Sequence, residues 1–188
     1  MSEKPKRDYK KDFREFIDYL KDFVESDNRA ALATLRRGLG KDVATSTEMY
    51  QYIFPKLRYA RDEKSFFLLA SLFGSYPKAR NTDGNIGASL AKIKNESGSI
   101  EKRFVALLNA REEVLHEHLR QIVALLKAKE TPINWFELLR GIKFWSDPNR
   151  FIQKSWARSF WSSSTDEEIY FEDEINLDET NEGEENND

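Results

Sequence analysis

The chain has no cysteine among its 188 residues, two histidines, and no apolar run near the roughly 18 residues that a membrane span needs. The lack of cysteine excludes disulfides, thiolate nucleophiles and cysteine zinc sites, and it fits a reducing compartment. His116 and His118 stand two apart, about 200° around a helix, so they cannot grip one metal ion together. Glu112, Glu113 and Glu117 add no ligand spacing that includes both histidines. There is no glycine-rich phosphate loop, no G-x-S-x-G turn and no tight nuclease-like set of carboxylates. The pairs Glu112-Glu113 and Glu167-Glu168 read as helix surface and terminal segment. No catalytic residue, metal ligand or cofactor is therefore expected, and the chain is not read as an enzyme. Its first residues, M-S-E-K-P-K-R, are charged and lead into an amphipathic pattern, so a cytoplasmic protein is expected.

One further absence is local. From Ser163 to Asp188 there is no Lys or Arg, against 12 Asp and Glu. The other 162 residues then carry all 30 basic side chains and 33 − 12 = 21 acidic ones, a net +9 that the overall −3 conceals. Such asymmetry directs attention to polyanionic partners.

What is present is helical periodicity. Tyr9, Phe13, Phe16, Ile17, Leu20, Phe23 and Val24 recur at three-and-four spacing, which predicts a core-facing helix over 8–25. A second helix is expected from Asp27 or Asn28 to a C-cap at Gly38, and a third from Ser46 or Thr47, stopped by Pro55. A fourth, opened by Asp62 and ended by Gly74 and Pro77, is apolar enough to be central. Residues 74–99 hold turn signals around a short helical pattern, Ile86 to Ile93, and read as the most mobile part of the body. One long helix is expected over 99–128, about 43 Å at 1.5 Å per residue. Thr131-Pro132 and Asp147-Pro148 each read as an N-cap followed by proline at the first helical position. The fold class is all-α, a compact bundle of about seven to eight helices over 1–162, as one body or two packed sub-bundles. The acidic segment 163–188 buries too little to offset its ordering entropy and reads as a disordered tail.

Two basic faces are candidate binding surfaces. In the second helix, Leu32, Leu35, Leu39 and Ala31 share one arc while Arg29, Arg36 and Arg37 gather on another, with Lys41 just beyond. In the last helix Arg150, Lys154 and Arg158 recur every four residues with Trp161 on their side, while Ile152, Trp156 and Phe160 point inward. Cations interleaved with an aromatic suit a nucleic-acid backbone with a stacked base. A solvated face with a basic last turn is the plainer reading. Arg103, Arg111 and Arg120 either extend the basic surface or pair with nearby Glu. The four tryptophans are more often core or subunit contact than ligand cage.

Six segments occur in the order found in CasB, the small subunit of the type I-E Cascade complex of CRISPR immunity. They are R-A-A-L-A-T-L-R-R-G at 29–38, A-S-L-F at 70–73, I-G-A-S-L at 86–90, E-K-R-F-V-A-L-L-N-A at 101–110, I-N-W-F-E-L-L at 133–139 and W-A-R-S-F-W at 156–161. The resemblance covers about 8–162. It implies a non-catalytic, all-helical subunit that sits with other Cascade subunits and a second copy of itself. It also implies contact with crRNA-bound target DNA and the displaced strand while the R-loop opens, carried by Arg29, Arg36, Arg37, Lys41, Arg150, Lys154 and Arg158. A helical adaptor that binds only protein is the alternative. The acidic segment departs from the CasB pattern. It reads first as a solubility tail, and −12 beside +9 also allows it to fold back on the basic face.

Overall fold

Phe13, Phe16, Ile17, Leu20 and Phe23 form one buried stripe, and that stripe sets the first helix, α1 (Tyr9–Glu25). The computed structural model describes residues 8–41 and 43–162, so the expected disorder of 163–188 lies outside the described residues. Among those residues the chain forms nine α-helices, short 3₁₀ turns and no strand. After α1 come α2 (Arg29–Arg37), α3 (Tyr50–Ile53), α4 (Glu63–Ser75), α5 (Ile86–Ala91), α6 (Gly98–Leu108), α7 (Glu112–Ala128), α8 (Trp135–Lys143) and α9 (Phe151–Trp161). No described helix is long and apolar enough to cross a membrane.

The fourth helix is central, as its composition predicts. Phe66, Phe67, Leu69, Ala70, Leu72 and Phe73 are all buried, and α2, α3, α7 and α8 pack around α4. Gly74 lets α2 come close: a methyl group there would lie 2.7 Å from the Arg36 amide nitrogen and 2.9 Å from Leu35 Cβ. The basic helix is thus seated directly on the core.

Three expectations are corrected. The long helix over 99–128 is two helices, α6 and α7, with Asn109 to Arg111 between them. The break frees backbone carbonyls, and two of them receive tertiary partners: Arg150 Nη2 donates to Leu108 O at 2.6 Å and Trp145 Nε1 to Ala110 O at 2.9 Å. The caps also move. Asn134, not Thr131, caps α8 by accepting from the Glu137 amide, because the Ile133 amide is held by Arg80 O. Asp147 accepts from the Asn149 amide within a turn, and α9 begins four residues later, after a left-handed Arg150 at φ 53°. Third, α5 is anchored in the body. Ile86, Gly87, Ser89 and Leu90 are buried, and Asn85 caps α5 while its amide reaches Ser159 Oγ on α9 at 3.0 Å.

Gly87 makes the α5–α9 contact possible, since a Cβ there would lie 2.0 Å from the Trp156 carbonyl oxygen. Gly87→Ala drives a methyl group into backbone. It should therefore lower stability by about 1–3 kcal/mol, the range of core overpacking. The urea midpoint reads this; an unchanged midpoint would contradict the close packing.

Candidate nucleic-acid interface

Asn28 fixes the start of α2 by accepting from the Ala31 amide at 3.0 Å, while Ala31, Thr34 and Leu35 anchor its inner face. Asp27, the other cap candidate, has φ 50° and instead pairs with Arg29, Oδ2 to Nη2 at 3.0 Å. The hydrogen bond to Arg29, and then its charge, hold the Asp27 carboxyl below its ordinary range and raise the guanidinium. Gly38 does occupy the C-cap position, with ordinary φ −72°. Its need for glycine is steric: a Cβ would lie 2.0 Å from Met49 Sδ.

The other α2 cations differ in how they are held. Arg37 is steadied by Thr34 Oγ1 at 2.9 Å and lies 3.8 Å from Glu48. Arg36 and Lys41 are exposed, and no carboxylate among the described residues is recorded at ion-pair distance from either. Two more cations approach Lys41 from other helices. Lys64 of α4 faces the same cleft as Lys41, and Arg120 Nη1 of α7 would lie 3.6 Å from a methyl group on Gly40. Arg120 thus comes up beside the loop that carries Lys41. The cleft, about 500 Å³, has Phe67, Leu68, Leu115 and Ile142 in its lining. Glu112, Glu113 and His116, from the first turns of α7, complete its rim.

The α9 stripe is supported separately, on α5. Ile152, Trp156 and Phe160 are buried as the spacing requires, and Lys154 and Arg158 are exposed. Trp161 is 44% exposed, one side on Phe104, its Nε1 donating to Glu101. Trp135, Trp145 and Trp156 are core. Lys94, missed in the sequence because it lies far along the chain, places Nζ 3.4 Å from Phe160 O at the end of α9. Arg150 is committed to the α6–α7 junction. Glu112 borders the cleft and also accepts from Ser146 Oγ, four residues ahead of Arg150, so an acidic turn adjoins both basic regions. Arg150→Met should cost about 1.5–3 kcal/mol, the worth of a charged hydrogen bond, in a urea melt. It should leave polyanion affinity within about twofold, because one engaged cation contributes little release of counterions. A large affinity loss without destabilisation would contradict this division of roles.

Among the described residues no three carboxylate or imidazole groups are grouped to hold a metal ion.

The family model for CRISPR-associated protein Cse2 matches residues 31–161, from inside α2 to the last residue of α9. The chain belongs to the Cse2 family. A Cse2 protein of Thermus thermophilus is 31% identical over 162 residues, 81% of this chain and 92% of that one. The crystal structure of CasB from Thermus thermophilus matches with TM-score 0.71 and 28% identity, over 80% of this chain and 98% of that one. A chain of a CRISPR RNA-guided surveillance complex shares the fold with TM-score 0.69 and 21% identity, over 80% and 92%. The Cse2 match stops at Trp161, before the acidic segment.

Proposed function

We propose that this Cse2-family chain is a non-catalytic subunit of a cytoplasmic CRISPR RNA-guided surveillance complex of the Cascade type. It bridges backbone subunits beside a second copy of itself and holds opened nucleic acid by sequence-independent basic contacts. The observation that carries the reading is that Lys41, just beyond the Arg36-Arg37 end of α2, shares a cleft with Lys64 of α4, while Arg120 of α7 comes up beside Gly40. These three cations come from three parts of the chain, next to the α2 arginines in sequence, within a body of net +9. Phosphate neutralisation reads no sequence. R-loop opening exchanges one duplex for another at nearly balanced free energy, so a few such contacts can tip it.

The test is binding of the isolated chain to a labelled oligothymidine at low salt. Retention that falls steeply as salt rises is the expected result. The adaptor reading predicts no retention at any salt, with exposed Phe54 and Tyr59 serving as protein contacts instead.

A further inference from the structure

The described chain ends at Ser162, directly after exposed Trp161. Within two turns of that exit lie Lys154 and Arg158, and Lys94 Nζ sits at the carbonyl of Phe160. The segment that follows begins S-S-T-D-E-E-I-Y-F-E-D-E-I-N-L-D-E. Its carboxylates start at Asp166, and its first apolar residues are Ile169, Tyr170 and Phe171. Solubility requires charge alone. Aromatic and branched side chains set among carboxylates present the two features that single-stranded nucleic acid offers a protein, negative charge and a stacking face.

We infer that residues 163–188 act as an intramolecular polyanion, seating on the α9 stripe and Trp161 and competing there with nucleic acid. The inference rests on the proposed function and adds a regulator to it. Reach is no obstacle: 26 residues span at most about 90 Å, and Lys154 to Arg158 is about 6 Å of helix. A short tether gives an effective concentration on the order of 1 mM. Non-specific polyanion affinity runs from about 10⁻⁴ M to tighter values. Their ratio, about 10, is the factor by which the segment should weaken nucleic-acid binding at low salt. Its release by a longer polyanion would confine tight binding to the assembled, target-loaded state.

The experiment compares the full chain with a full-length variant whose twelve Asp and Glu in 163–188 are changed to Asn and Gln. The probe is a labelled oligothymidine, titrated at about 50 mM and about 300 mM salt. The neutral variant should bind about tenfold tighter at the lower salt, the ratio should approach one at the higher, and a 163–188 peptide added in trans should compete with the probe. Ile169→Ser with Tyr170→Ser and Phe171→Ser should recover part of the gain while every charge stays; no recovery would contradict seating at Trp161. Equal, measurable affinities of the full chain and the neutral variant would overturn the inference alone. If neither chain retains the probe, the nucleic-acid reading itself falls, and this inference with it.

Discussion

Lys143→Met is expected to lower folding stability by about 1.5–3 kcal/mol, the worth of a hydrogen bond to a charged group. Lys143 Nζ lies 2.8 Å from Asp62 Oδ1, and the Asp62 side chain is 2% exposed. The same ammonium donates to Arg61 O at 3.0 Å, so one cation ties the end of α8 to the turn that opens α4. Asp62 stands at the N-cap position of α4 without a side-chain capping hydrogen bond, and its carboxylate is turned to the lysine. Methionine preserves the stem and its packing, so the change isolates the charge. Urea unfolding followed by circular dichroism measures it; a loss below about 1 kcal/mol for Lys143→Met would place the pair among exposed ones. The tie also matters for the binding surface, because Ile142 beside it and Phe67 on α4 line the cleft under Lys41 and Lys64.

The second large effect is on affinity. Arg36→Ala, Arg37→Ala and Lys154→Ala together should weaken oligonucleotide retention by the assembled complex roughly 100-fold near 0.1 M salt. Each lost phosphate contact removes about 0.7 to 0.9 from the slope of log K against log salt, so three remove about 2 to 3. The three side chains are exposed and leave Ala31, Leu35, Trp156 and Phe160 untouched, so the urea midpoint should hold. An affinity loss with an unchanged slope would mean that the arginines had been holding protein.

Much of this is visible in the residues themselves. The stripes of α1 and α4, the Asn28 cap and the inward face of α9 follow from spacing and local chemistry, which act over a few residues. The α6–α7 break does not, because Leu107 and Leu115 keep the helical period across it, while the carbonyls it frees are taken by Arg150 and Trp145 from 42 and 35 residues away. The same distance hides part of the basic cluster. Arg36, Arg37 and Lys41 are neighbours in sequence, whereas Lys64 and Arg120 come near Lys41 only through packing around α4. For a related reason the i, i+4 stripe does not reveal that Arg150 also donates to a carbonyl on another helix.

The central claim is that these basic faces meet nucleic acid within a surveillance complex. Its most direct test is a photo-crosslinking side chain placed at Arg36 and, separately, at Lys154, in complex reconstituted with labelled target DNA. The account predicts crosslinks to a DNA strand that diminish as salt rises. Crosslinks to protein subunits alone, from both positions, would contradict it.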